Sequence, residues 1–234
     1  MAQVTTLTFF KYPSFKSKLW AFWMMQFAHA PLSRTKGLQL YKLMGSGKAE
    51  FNPFPDWSVY GLLQLWDSEE SATNFFSASK LMRRYEKNSA EHWTVYMKNI
   101  QAKGEWNGGN PFVPSGELQK ENPLIAVITR ATIKPKLLLR FWKHVPASQR
   151  PLQGNKGLLF TKGIGEAPFM QMATFSVWAN KKALMDFAYG SKGHQEAIKK
   201  TRELDWYREE LFSRFQPYRS EGTWEGTAPL EEWL

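Results

Sequence analysis

Apolar residues recur along the chain with two alternating periods, and the switches between them mark out its elements. Residues 4–10, Val-Thr-Thr-Leu-Thr-Phe-Phe, are β-branched and aromatic and predict a strand. Lys16 to Ala30 predicts a helix rich in Trp, Phe and Met, and Leu38 to Leu43 a short strand. Gly45-Ser-Gly47 predicts a turn and Pro53 to Asp56 a loop, before Trp57 to Trp66 alternates as a strand. Asp67-Ser-Glu-Glu70 is a helix-start signature leading into Ser71 to Phe76, and Lys80 to Asn88 predicts a second helix. His92 to Gln101 predicts a strand, and Gly104 to Pro114 a linker rich in Gly, Pro and Asn.

The same order then repeats. Leu124 to Lys134 predicts a strand, Lys136 to His144 a helix, Gly157 to Thr161 a strand and Gly163-Ile-Gly165 a turn. Phe169 to Trp178 follows as a strand, Asn180 to Tyr189 as a helix with another from Ser191 onward, and Glu209 to Tyr218 as the last strand. Residues answer one another as well. Lys18-Leu-Trp20 matches Leu139 to Trp142, Gly45-Ser-Gly47 matches Gly163-Ile-Gly165, and Leu63 to Trp66 matches Phe175 to Trp178. Trp93 is paired with Trp206, and Gly104-Glu-Trp-Asn-Gly108 with Gly222-Thr-Trp-Glu-Gly226. These anchors imply an internal duplication of about 115 residues, longer than a solenoid period. Each unit reads strand, helix, strand, strand, helix, strand, the ferredoxin-like arrangement. Such a unit covers one sheet face with helices and leaves the other bare. The expected class is therefore α+β, with units 1–118 and 119–234 closing sheet against sheet into an α+β barrel within one chain.

Composition narrows the chemistry. The 234 residues are 43% hydrophobic, with eleven Trp, seventeen Phe and nine Met, which suits a large core or a pocket for a bulky apolar ligand. Cysteine is absent, which excludes disulfides, Cys-held iron–sulfur clusters, thiolate-ligated haem and Cys nucleophiles. The net charge of +10 is spread, and no zinc-finger, RNP or basic-zipper pattern occurs, so no nucleic-acid partner is expected. An acidic protein or an anionic membrane face fits the charge better. The start lacks a charged segment followed by a long apolar run, and the most apolar stretch, Leu19 to Ala30, is too short to span a bilayer. A cytoplasmic protein is expected, with peripheral attachment at the inner face of the membrane left open.

Among the four histidines, His194 stands out. Ser191 and Gly193 suit a helix start, so His194 falls in a first turn, with Ala197, Ile198 and Thr201 on its face. The helix N-terminus disfavours imidazolium, and a neutral inward imidazole is what a metal or haem iron needs. A core histidine bonded to a backbone carbonyl fits these residues too. Its counterpart in the first unit lies near Leu81 and Met82, so only one half carries the histidine. His29, His92 and His144 read as ordinary structural residues, and no two histidines have metal-ligand spacing. His194-Gln-Glu196 lacks the cysteines of a deaminase zinc motif, and the Gly-x-Gly pairs lack the third glycine of a dinucleotide fingerprint. Arg130 and Lys134 share one strand face; solvent contact suits Lys134, while Arg130 could anchor an anionic cofactor group. Met170 and Met172 share a face with Thr174 and Ser176, as core or as the soft wall of an apolar cavity.

Several stretches together resemble the spheroidene monooxygenase family, the carotenoid 2-ketolases. They are Lys42 to Gly47, Thr129 to Lys134, Arg140-Phe-Trp142, Gly163 to Phe169, Thr174 to Trp178, His194 with Glu196-Ala-Ile198, and Trp206 with Glu209-Glu-Leu211. The resemblance implies a haem b enzyme that takes dioxygen and electrons from a ferredoxin-like donor. It implies oxidation of C2 of acyclic carotenoids such as spheroidene, through an alcohol to a ketone. On that pattern His194 falls on the family's histidine position and is expected to ligate the iron, there being no cysteine and no other well-placed histidine. Arg130 falls on its strand arginine and is expected beside the bound oxygen or a propionate. Met170 and Met172, as the soft wall of an apolar cavity on their strand face, are expected to line the cofactor. Departures at Thr161-Lys162 and over Thr227 to Leu234 bear on substrate choice. Other oxidative haem chemistry, such as peroxidase or haem degradation, and a non-catalytic binder of apolar ligands are the alternatives.

Overall fold

The computed structural model describes residues 2–48, 54–144, 155–190 and 203–234. The first half runs β1 (Val4–Lys11), α1 (Phe15–Phe27), α2 (His29–Ser33), β2 (Leu38–Gly47), β3 (Pro55–Trp66), α3 (Glu69–Ala78), α4 (Lys80–Asn88) and β4 (Glu91–Gly104). The second runs β5 (Ile125–Ile133), α5 (Leu138–His144), β6 (Leu158–Ala167), β7 (Gln171–Trp178), α6 (Lys181–Gly190) and β8 (Tyr207–Gly222). The strands close an antiparallel barrel in the order β1-β3-β2-β6-β7-β5-β8-β4. Within each half the order is the same, β4-β1-β3-β2 and β8-β5-β7-β6, which is the ferredoxin-like sheet. Antiparallel seams between β4 and β8 and between β2 and β6 join the two sheets.

Side-chain alternation along each strand sorts the core into layers. On β1, Leu7 and Phe9 point into the barrel, while Val4 and Phe10 point out beneath the helices. The interior is one continuous core drawn from both halves, with Met44, Leu63, Trp93, Ile128, Phe175 and Phe215 among its members. The helices start where side chains can satisfy free amides. Ser14 and Ser17 form a capping box on α1, Ser68 accepts from the Ser71 amide, and Ser79 accepts from those of Leu81 and Met82.

Three expectations need correction. The Gly-x-Gly segments are not turns but the ends of β2 and β6, where Gly45 pairs with Gly165 and Ser46 with Ile164 to close the barrel. At Gly165 a Cβ would lie 2.4 Å from the Gln171 carbonyl oxygen, so glycine serves close strand approach there. Trp93 and Trp206 are not equivalent. Thr8 pairs with Thr94 and Thr129 with Phe212, which makes Leu211 the partner of Trp93; Trp206 precedes β8 and packs outside the barrel. The Gly104–Pro114 stretch is no free linker. Trp106 and Phe112 are buried in the barrel core, and Phe112 meets Phe215 edge-on at 4.9 Å. The Gly104 and Gly222 turns do correspond. Both glycines hold positive φ, and each is followed by a buried tryptophan, Trp106 and Trp224.

Candidate active site

Two features break the likeness of the halves, one inside the barrel and one outside it. Inside, the position of Phe9 in the first half is taken by Arg130 in the second. Phe9 sits among Trp93, Phe160, Phe175 and Trp224. Arg130, 2% exposed, instead donates from Nη1 to Glu209 and lies 3.8 Å from Glu166. Its guanidinium faces the Trp106 ring at 5.5 Å, and Trp106 Nε1 donates to Glu166 at 2.7 Å. Lys42 donates to the other Glu166 oxygen at 2.8 Å. Burial alone would raise the Glu209 carboxyl. The amides of Gly108 and Asn107, with Arg130, outweigh it and hold the group below its ordinary value.

Outside, the described residues cover the two sheets unequally. In the first half a row across the sheet, Leu43–Leu62–Thr8–Thr94, is fully buried under the helices, and the Thr8 and Thr94 hydroxyls bond at 2.9 Å. The equivalent row in the second half is Gly163–Thr174–Thr129–Phe212. There Thr129 is exposed although its strand lies in the middle of a sheet, Phe212 is exposed, and Thr174 is half-buried. A Cβ at Gly163 would meet nothing within 4 Å. Apolar clusters wall this open strip on either side. One is Ile125, Val127, Trp178 and Leu184 under α6, the other Ile133, Phe141, Trp142, Met172 and Trp206 under α5. Among the described residues the result is an apolar cleft with a floor of hydroxyls. On β8, Arg214 shares the outer face with Phe212, lies 5.2 Å from its ring, and keeps a buried Nε that makes no hydrogen bond among the described residues.

The residues singled out in the sequence divide between these features. Met172 lies on the outer face as a wall of the cleft, and Met170 sits beside it in the β6–β7 hairpin. Arg130 lies on the inner face, since it pairs with Ala173 while Met172 pairs with Ala131. The Arg130 and Met172 side chains thus leave the sheet on opposite faces. His194 lies outside the described residues, as does Glu196. His29 bonds Tyr41 through Nδ1 at 3.0 Å, His92 lies 3.9 Å from Glu86, and His144 ends α5. Among the described residues no three His, Asp or Glu side chains gather to hold a metal ion.

Comparison with known proteins decides the family. No family profile matches the chain. A spheroidene monooxygenase of Cereibacter sphaeroides is 36% identical over 99% of this chain and 72% of its own length. One from Rhodobacter capsulatus is 34% identical over 97% of this chain and 95% of its own. The chain belongs to the spheroidene monooxygenase family. It is accordingly an enzyme, a monooxygenase. Among solved structures, an aldoxime dehydratase in complex with butyraldoxime superposes with a TM-score of 0.65 at 10% identity, covering 97% of this chain and 85% of that one. A second aldoxime dehydratase gives 0.58, also at 10% identity, over 92% and 81%. At that identity the likeness establishes the barrel fold alone.

In this member of the spheroidene monooxygenase family, the stretches that carry the resemblance converge in space. Thr129 to Lys134, Thr174 to Trp178 and Gly163 to Phe169 run along the strands under the cleft, and Arg140-Phe-Trp142 lies over them on α5. Sequence reasoning placed Thr174 on the face of Met172 but did not single out the side chains of Thr129 and Arg214 or the gap at Gly163, because only strand register shows that they share that face. Alternation along Thr129-Arg130 could have indicated that the two point to opposite sides.

Proposed function

We propose that the chain is a haem-dependent monooxygenase that oxidises C2 of acyclic, spheroidene-like carotenoids, with dioxygen as co-substrate and a reduced ferredoxin-like protein as donor. The observation that carries this reading is the outer face of the second half, which the described residues leave open where the first half is filled. The residues there fit a flat apolar macrocycle with anionic edges. Trp142, Phe141 and Met172 offer apolar wall, the hydroxyls of Thr129 and Thr174 offer the floor its polarity, and Arg214 offers a cation beside it. Haem held there would supply the activation of dioxygen that unactivated C–H oxidation needs. The first half, 1–118, then serves as scaffold and the second, 119–234, as the working half.

His194 is the residue proposed to hold the haem iron, from its place in the family resemblance and the lack of a histidine at the matching position of the first half. Met170 and Met172 adapt the wall to cofactor and polyene. The apolar walls exclude water from the reacting carbon, and the threonine hydroxyls hold hydrogen-bonding groups against an otherwise apolar floor. Arg130 acts from below as a positioning residue, fixing β5 through Glu209 while its neighbour Thr129 faces the cleft. The test is to close the cleft. Thr129→Trp should leave the barrel folded but abolish haem uptake and conversion of spheroidene to oxygenated product. Undiminished haem binding and turnover in that variant would place the chemistry elsewhere.

A further inference from the structure

The apolar row of α1 points away from the protein. Ala21 and Met24 bury one face of the helix against the first-half sheet. Phe15, Leu19, Phe22, Trp23 and Phe27 recur at helical spacing on the other face and are exposed, Phe15 at 83% and Phe27 at 62%. A helix with one apolar face buried and a second exposed presents an interaction surface. Exposed Trp57, at the start of β3, extends it with its ring 5.6 Å from Phe22. Nearby, Phe54 meets Phe169 at 6.4 Å, and Phe169 meets Trp142, a wall of the cleft, at 6.2 Å. Phe169 holds a left-handed φ of 65°, a strained setting for so bulky a residue, and Trp142 Nε1 donates to its carbonyl at 3.2 Å. Aromatic rings thus reach from α1 towards the rim of the cleft.

Charge selects the partner. No Asp or Glu precedes Glu50 in the chain. Lys16 and Lys18 flank the apolar row on α1, and Arg34 and Lys36, both exposed, follow α2. Large aromatic and aliphatic side chains bordered by Lys and Arg suit the interface of an anionic bilayer. Among the described residues no helix is long and apolar enough to cross a membrane, so the surface suits lying on one.

We propose that the exposed face of α1, with Trp57 and Phe54, docks the protein on an anionic lipid bilayer, and that the Phe54–Phe169–Trp142 rings lead an apolar substrate from lipid to the cleft. The second clause rests on the carotenoid reading; the docking does not. The full chain should co-sediment with phosphatidylglycerol–phosphatidylcholine vesicles and less with phosphatidylcholine alone. Combining Phe15→Ser, Trp23→Ser and Phe27→Ser should weaken that binding by about tenfold or more with the circular dichroism melt unchanged. Lys16→Glu with Arg34→Glu should weaken binding to anionic vesicles and little to neutral ones. Equal partition of wild type and the triple serine variant, or no wild-type binding to either vesicle, would overturn the proposal. So would a wild-type dimer in light scattering that the triple variant dissociates, with no vesicle binding, since a second copy would then cover the face. With carotenoid in detergent micelles the triple variant should turn over like wild type. Absence of micellar turnover by wild type would overturn the carotenoid reading and leave the vesicle result standing.

Discussion

Arg130→Met tests whether the buried cation holds the second half together. Methionine keeps an unbranched stem of similar length and removes the charge. What is lost can be worked from the site. A unit pair at the 3.8 Å between Arg130 and Glu166 is worth about 4 kcal/mol at an effective dielectric of about 20. The pairing with Glu209 is closer still. Glu166 retains Lys42 and Trp106, and Glu209 retains the Gly108 amide, so neither carboxylate is stranded. Removing one partner of a buried pair costs about 3–5 kcal/mol, and these remaining partners put the expected loss near the lower end. For a chain of this size, a loss of about 3 kcal/mol lowers the melting temperature by roughly 6–12 °C. Urea unfolding of wild type, Arg130→Met, Glu209→Met and the double variant gives the coupling directly. A loss under about 1 kcal/mol for Arg130→Met, or no coupling with Glu209, would refute a structural role for the pair. Where the variant is folded it should still take up haem, because the Arg130 side chain faces away from the cleft and acts on it only through β5.

Acid should weaken the same cluster. Glu209 is held below its ordinary value in the folded state, so its contribution is present above the unfolded value of about 4.3 and lost as pH falls through the folded one. Stability measured against pH should therefore drop below about pH 4, and Glu209→Gln should flatten that drop. Gly222→Ala should cost more than about 2 kcal/mol by urea unfolding, since φ is +86° and a Cβ would lie 2.2 Å from the His92 carbonyl oxygen. Arg214→Gln should leave stability within about 1 kcal/mol of wild type and weaken haem affinity in a titration; unchanged affinity would remove Arg214 from the proposed cofactor site. Phe169→Gly should relieve its left-handed strain, changing stability by less than about 1 kcal/mol, while slowing turnover of vesicle-borne carotenoid.

The elements with strong local signals were legible. The runs at β1, β3 and β4, the Ser68 start of α3, and the duplicated βαββαβ order all follow from side-chain period and capping. Gly45 and Gly165 were not, because a Gly-x-Gly looks the same whether it makes a turn or lets two strands close a barrel. Trp93 and Trp206 looked alike by type and spacing, and only hydrogen-bond register separates them. The cleft was illegible for a deeper reason. Thr8 and Thr129 are the same residue in the same place of the two units. One is buried and the other exposed according to what the helices above them cover, a long-range fact that no local window of sequence contains.

Visible spectra of wild type and His194→Ala, reconstituted side by side with haem, test whether haem binds the second half through His194. Wild type should show a Soret band, and the variant a lost or shifted band together with loss of carotenoid oxidation. The same Soret position and equal turnover in both proteins would contradict binding through His194.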